Sequence, residues 1–377
     1  MNHEQPALNE RYDIIIVGAG AAGIGTGIVL QDLGIAQYVI IERDSVGASF
    51  KRWPEEMRFI TPSFPGNAFG MLDLNAVAIG TSPACTLNRE HPSGPQYAEY
   101  LQVVAAHFRL PIVTGIDVTN VRAIDDGFLV ETNQGDREAR FVIWAAGEFQ
   151  YPRTNPFPGA EHGRNTASVG SWDALDGDAF SIIGGYESGM DAAYHLTQRG
   201  KRVQIFDAAP SWDTGSGDPS LALSPYTRER LGTALASGRL ALHFDTPVVA
   251  LEPDPAGVAI IAESGQRIVS ATPPLLATGF RGSLRLIGDH FAWDERGNAI
   301  LTAHDESTRS AGLFVVGPLV RHPGAIFCFI YKFRQRFAVV AATIAARMGV
   351  SVEPLERYYD NTMFLEDLSC CDEGCTC

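Results

Sequence analysis

The apolar positions of this chain come in short runs punctuated by glycine. Residues 13–17, Asp13-Ile14-Ile15-Ile16-Val17, have the pattern of a strand buried on both faces of a parallel sheet. Gly18-Ala19-Gly20-Ala21-Ala22-Gly23 follows at once, then a helical stretch to about Leu33 with Gly34 as its C-terminal cap. Residues 38–41 form the next strand, which ends at Glu42. The same order returns later. A strand at 179–183 leads into Gly184-Gly185-Tyr186-Glu187-Ser188-Gly189, a helix runs to about Arg199 with Gly200 as its cap, and a strand at 203–206 ends at Asp207.

The sequels match as well. After the first unit come residues 121–130, a turn near Gly135 and an apolar run closing at Ala145-Ala146-Gly147. After the second come residues 248–261, a turn near Gly265 and a run closing at Ala277-Thr278-Gly279. Each predicts a small antiparallel excursion that returns to the main sheet. A repeat of this length means two related domains rather than a solenoid. A last strand is expected at 312–317 and a long helix at about 326–348, with residues 152–172, rich in Gly, Pro and Asn, as an interdomain linker.

The turns explain what such units are for. A pyrophosphate needs hydrogen-bond donors and positive potential, and a helix N-terminus supplies both. Gly18 permits the tight turn, Gly20 lets backbone meet phosphate, and Gly23 lets helix pack on strand. Glu42 stands where a carboxylate hydrogen-bonds an adenosine ribose. The second turn is less regular, because Tyr186 occupies a position that is often glycine. Two such turns imply two dinucleotides, FAD and NADH or NADPH. The fold is therefore read as α/β, with two Rossmann-like, three-layer dinucleotide-binding domains. The FAD domain takes residues 1–150 and 278–365, the inserted NAD(P)H domain takes 151–277, and 366–377 form a cysteine-rich tail.

Composition adds limits. The chain has 377 residues, 45% of them apolar, and a net charge of −15, which repels nucleic acid and anionic membrane surfaces. No apolar run approaches the roughly 18 residues of a membrane helix, and the first eleven residues lack a secretory pattern, so a cytoplasmic location is expected. Of six cysteines, Cys85 and Cys328 stand alone, while Cys370, Cys371, Cys375 and Cys377 crowd the last eight residues. That clustering is no disulfide framework. It suits a soft metal or metalloid, or thiol–disulfide exchange, against the alternative of a tail with incidental thiols.

From residue 13 to about 348 the chain resembles the two-dinucleotide-binding-domain flavoproteins, which include flavin-containing monooxygenases and thioredoxin-reductase-like enzymes. The resemblance implies that the first turn holds FAD and that Gly184, Gly185, Ser188 and Gly189 hold NAD(P)H. It further implies that Ala145-Ala146-Gly147 and Ala277-Thr278-Gly279 are the family's linker turns, and that the strand ending at Gly317 contacts FAD. Pro318 replaces the family's flavin-ribityl aspartate. The segments 47–53, ending in Trp53, and 144–152 are similar to the monooxygenase branch, although Phe157-Pro158-Gly159-Ala160-Glu161-His162 places its histidine one residue early. The redox Cys-x-x-Cys of the reductase branch is missing.

The leading expectation is a monooxygenase-like enzyme. NAD(P)H reduces FAD, a C4a-(hydro)peroxyflavin forms with O2, and a small soft nucleophile or carbonyl substrate is oxygenated. One alternative is a reductase of a disulfide, metal or metalloid working through Cys370 and Cys371, a pair that resembles the terminal cysteines of mercuric reductases. Another is a flavin-containing metal-binding or redox-sensing protein. A second copy of the chain is a candidate partner. Arg321 and His322 are candidates for groups at the flavin edge, and Trp53 is read either as a flavin neighbour or as a core aromatic. Asp207 either selects NADH or merely ends a strand. Cys85 and Cys328 are expected to be buried small residues.

Overall fold

The computed structural model describes residues 10–209, 218 and 220–369. The chain divides into two compact units. The first is drawn from Met1–Lys51, Pro62–Glu148 and Gly282–Cys377, the second from Arg52–Thr61 and Phe149–Arg281.

The first unit opens with β1 (Arg11–Val17), α1 (Ala21–Asp32) and β2 (Tyr38–Glu42), followed by α2 (Ala48–Lys51), α3 (Pro83–Leu87), α4 (Gly94–His107) and β3 (Ile112–Thr114). β4 (Val118–Ile124), β5 (Gly127–Thr132) and β6 (Arg137–Trp144) then run antiparallel to one another. β1 lies parallel between β2 and β6, and its residues Ile14, Ile15 and Ile16 are fully buried. A helix on either side of a parallel strand leaves it no polar face, which is why the run carries no alternation.

The second unit contains β7 (Arg164–Asn165), β8 (Ala179–Ile183), α5 (Glu187–Gln198), β9 (Arg202–Phe206), α6 (Pro225–Ala236) and β10 (Leu240–His243). β11 (Val248–Asp254), β12 (Gly257–Ala262), β13 (Arg267–Ser270) and β14 (Leu275–Leu276) complete it. Its parallel sheet has the order β10-β9-β8-β14-β7, and β11-β12-β13 form a separate antiparallel sheet. Trp172, Phe180, Ile182, Leu196 and Ile205 make its core. Arg230 on α6 donates to Asp191 on α5 at 2.7 Å, with both side chains buried. Burial alone would raise the Asp191 carboxyl, but hydrogen bonding and charge from His195 and Arg230 carry it below its ordinary value.

The chain then returns to the first unit through β15 (Ala292–Trp293), β16 (Ala299–Ile300) and β17 (Leu313–Val315), which pairs parallel with β6. β18 (Arg321–His322) and β19 (Ala325–Ile326) form a hairpin, and α7 (Ile330–Phe333), α8 (Phe337–Met348) and α9 (Glu356–Asp360) follow. α8 packs on α1 because Gly25 has no side chain. A Cβ there would overlap the Phe337 ring.

Four expectations need correcting. The helix at 326–348 is broken into a hairpin, α7, a 3-10 turn at Arg334–Arg336, and α8. The turn is tighter because two buried arginines leave it in different directions. Arg334 donates to Ala76 O at 3.0 Å, and Arg336 to Asp305 at 2.8 and 3.0 Å. Residues 152–172 are no linker. They belong to the second unit, where Ala160, Val169 and Trp172 are buried. The division expected at 150 and 278 also shifts. Residues 52–61, 149–150 and 278–281 join the second unit, drawn in by aromatic packing of Trp53 with Phe59 and Phe149, and of Phe149 with Phe280. Finally, Cys85 is exposed and Cys328 half-buried, so neither is a core residue. The tail cysteines 370, 371, 375 and 377 lie outside the described residues.

Candidate functional site

Parallel strands present their carboxyl ends on one edge, and ligands of open α/β sheets bind there. In the first unit β1, β2, β6 and β17 end together. Gly18 N donates to Ile41 O at 2.8 Å, Ala145 N to Val17 O at 2.9 Å, and Val316 N to Trp144 O at 3.1 Å. Gly18 has φ +107°, and a Cβ on it would sit 2.7 Å from Ala145 O. A Cβ on Gly23 would land on Gly18 O. The fold itself demands both glycines.

Gly20 is different. It is the N-cap of α1 with φ −84°, an ordinary backbone value, and a Cβ on it would meet nothing within 4 Å. Neither strain nor packing requires glycine here. An open cradle at a helix start without a side-chain cap, and without an acid in the first turn, suits a pyrophosphate. Glu42 is buried beside it and accepts from Ala19 N at 2.8 Å and Asp44 N at 2.9 Å. The rim is completed by Ala146, Gly147 (φ +65°) and Gly317 (φ +96°), which lies against Ala22. Ser283 N donates to Gly147 O at 3.1 Å, and Trp144 Nε1 to Ser283 Oγ at 2.9 Å, so that turn is held from behind. These residues fit FAD.

The second unit repeats the arrangement in part. Gly184 has φ +103° and is pressed on Ala277 O, and a Cβ on Gly189 would land on Gly184 O. Asp207 accepts from Gly185 N, and from Ala209 N at 2.8 Å, as Glu42 does in the first unit. Ser188 is half-buried in the first turn of α5. Tyr186 stands where the first unit has Gly20, and its hydroxyl donates to Ala222 O at 3.2 Å. Glu187 follows, accepting from Ser224 N at 2.6 Å and from Thr227 Oγ1. Burial pushes its carboxyl above the ordinary range, with Asp191 adding to the rise and the Thr227 and Ser224 hydrogen bonds opposing it. Thr278 and Gly279 are tied to Arg153, whose carbonyl accepts from Thr278 Oγ1 at 3.0 Å and whose N–H donates to Gly279 O at 2.9 Å.

The remaining candidates fall in separate places. Trp53 is half-buried in the second unit's aromatic cluster. His322 Nε2 lies 2.6 Å from Asp305 Oδ1, a fully buried carboxylate also held by Arg336. Arg321 donates to Pro318 O, and to Val320 O at 2.9 Å. Sequence reasoning missed Glu148, the residue after Gly147. It is half-buried, and burial pushes its carboxyl up while Arg321 pulls it back. Its place directly behind a linker turn was the available signal. Asp305 and Arg336 left no such trace, being about thirty residues apart. Among the described residues no cluster of three or more His, Cys, Asp or Glu side chains is set to hold a metal, and no helix is long and apolar enough to cross a membrane.

A family model described as pyridine nucleotide-disulphide oxidoreductase matches residues 15–317. The chain belongs to that family. This pyridine nucleotide-disulphide oxidoreductase is thus an FAD-dependent enzyme that uses NAD(P)H. It is 25% identical to a CzcO-like oxidoreductase of Geobacillus kaustophilus, but spans only 51% of that protein and matches with 49% of its own length. Against the ferredoxin–NADP reductase of a Bradyrhizobium species it is 25% identical over 86% of itself and 88% of the relative. Among solved structures, the bacillithiol disulfide reductase Bdr of Staphylococcus aureus shares its fold (TM-score 0.72, 20% identity, 90% of this chain and 99% of that one). So does a flavin-containing monooxygenase of Stenotrophomonas maltophilia (TM-score 0.70, 18% identity, 90% and 100%).

Proposed function

We propose that this chain is a reductase of a disulfide, metal or metalloid, in which bound FAD would supply the two-electron carrier between NAD(P)H and that acceptor. Gly18, Gly20, Gly23, Glu42, Ala146, Gly147 and Gly317 hold FAD in the first unit. Gly184, Gly185, Ser188, Gly189 and Asp207 hold the nicotinamide dinucleotide in the second, whose exit turn contains Thr278 and Gly279. The observation that carries the reductase reading is extent of likeness: the ferredoxin–NADP reductase is matched across almost the whole of both chains. The described cysteines, Cys85 and Cys328, form no disulfide. The acceptor thiols therefore come from Cys370, Cys371, Cys375 and Cys377 or from another molecule, and the same four thiols are the place for a soft metal.

Oxygenation of a small substrate is the second reading. It is favoured by the segment 144–152 and by the fold of the Stenotrophomonas monooxygenase. It is weakened by His162, which ends the 3-10 turn Ala160–His162 one position short of the expected motif.

Turnover without oxygen separates the two. A reductase oxidises NADH continuously under nitrogen when a small disulfide or a mercuric or arsenic compound is supplied. A monooxygenase stops after its own flavin is reduced. Removing residues 369–377 then tests the tail, since flavin reduction survives in either case and acceptor turnover is lost where the tail relays electrons. Failure of every acceptor under nitrogen, with product formation in air, overturns the reductase.

A further inference from the structure

The two units differ at the strand that lies beside each turn acid. In the first, Glu42 pairs with Thr114 of β3, and Ile116 N donates to Glu42 O at 3.0 Å. In the second, Phe206 pairs with His243 of β10, so Asp207 comes opposite Phe244. Thr246 N donates to Asp207 O at 2.8 Å, the counterpart of the Ile116 bond. Phe244 therefore stands where the first unit has Thr114, and Asp245 (φ +45°) where it has Gly115 (φ +78°). Paired residues of a parallel sheet point their side chains the same way. His243 and Phe206 do so, with rings stacked at 4.5 Å and 10°. One position on, Asp207 and Phe244 share the opposite face. That is the face of α5, because Val203, Ile205, Leu240 and Leu242, at alternate positions of the same strands, pack in the core with Leu196 of α5. Asp207 reaches Gly185 N there. Phe244 carries the apolar stripe of β10 one step past that core, and 52% of it stays exposed.

We propose that Phe244 is the platform on which the adenine of the nicotinamide dinucleotide stacks, a part that Thr114 cannot play for FAD. The inference rests on the proposed assignment of the second unit to NAD(P)H. An adenosine needs acceptors for its ribose hydroxyls and an apolar, polarisable surface for its base. A carboxylate and an exposed aromatic ring, neighbours on one face at the carboxyl edge of a parallel sheet, offer both. A residue that only closed the core would be covered. Stacking of the base is the same before and during hydride transfer, so it adds to affinity and not to the limiting rate.

The test uses the full, FAD-loaded chain, with ADP-ribose as a probe that carries the adenine but no nicotinamide. In titration calorimetry, Phe244→Ala should weaken ADP-ribose about tenfold, the share of one stacked base, and Phe244→Tyr should keep the wild-type affinity. In anaerobic flavin reduction, Phe244→Ala should raise the NADH concentration that gives half the limiting rate by the same factor, with the limiting rate kept. Reduced nicotinamide mononucleotide, which has no adenine, should serve wild type and variant equally. Asp207→Ser is the control for the assignment itself and should also weaken ADP-ribose. A loss in Asp207→Ser beside full affinity in Phe244→Ala overturns the platform and leaves the assignment standing. Full affinity in both overturns the two together. A Phe244→Ala loss that is as large with the mononucleotide as with NADH marks a damaged fold, and that too overturns the platform.

Discussion

The two glycine turns trace one backbone and differ in what fills it. Gly18 and Gly184 have φ of +107° and +103° and press on the carbonyls of Ala145 and Ala277. Gly23 and Gly189 stand over the carbonyls of Gly18 and Gly184. Between them the turns part company. Gly20 and Ala21 leave the start of α1 bare, whereas Tyr186 and Glu187 lash the start of α5 to Ala222, Ser224 and Thr227. The comparison separates glycines that the fold requires from one, Gly20, that neither strain nor packing requires. It also explains why one turn reads as a clean motif and the other does not.

The largest effects should fall on the shared positions. Gly23→Ala and Gly189→Ala each drive a methyl into a backbone carbonyl that cannot move aside. Each should destabilise its unit by on the order of 3 kcal/mol, read as a lower denaturation midpoint. If the two losses differ greatly, the turns are less alike than their geometry. Gly20→Val comes next and should part ligand from fold. The melting temperature of the apoprotein should stay within about 2 °C, while the purified protein loses its yellow FAD. Full flavin content in that variant removes Gly20 from the pyrophosphate site.

Asp207 offers a smaller test. In the proposed role its carboxylate, at the end of β9, would repel a 2′-phosphate and accept a 2′-hydroxyl, so NADH should reduce the flavin at least as fast as NADPH. Asp207→Ser should shift the ratio about tenfold toward NADPH, roughly 1.4 kcal/mol, in anaerobic reduction rates. The smallest effect belongs to Glu187. Its folded-state carboxyl is raised, so its contribution to stability is complete below the ordinary carboxylate value and is lost as pH rises through the raised one. Glu187→Gln should therefore flatten the fall in stability as pH rises above the ordinary carboxylate range, with a change of about 1 kcal/mol, the worth of one hydrogen bond, at neutral pH. An unchanged slope in urea midpoints sinks that reading.

Both turns, their strands and their closing Ala-x-Gly segments were legible because each is local, set by residues within about thirty positions of one another. The rest was hidden for physical reasons. Trp53 joins the second unit through contacts with Phe59 and Phe149, and linear order cannot announce a long-range aromatic cluster. The apolar stretch after residue 326 has helical periodicity, yet Arg334 and Arg336 are buried against distant carbonyls and Asp305, and that breaks it. Cys85 looked like a core residue by type, but it sits on the exposed side of a five-residue helix. Glu148 was plain in the sequence, and only its half-burial behind the linker turn marks it out.

Pairing of β6 with β17 joins residues about 170 positions apart, Val142 with Leu313 and Trp144 with Val315. A ribosome makes the chain from one end, so every residue of the second unit, which ends at Arg281, emerges before β17 exists. The inserted unit can collapse on its own core while β6 still waits with an open edge. Closing the first unit is then the late and slow event, because a long loop must be shut before its contacts reward the closure. Until then the end of β6 that receives β17, Val142 to Trp144, has one edge open, and this interval is when the newborn protein is most exposed to aggregation.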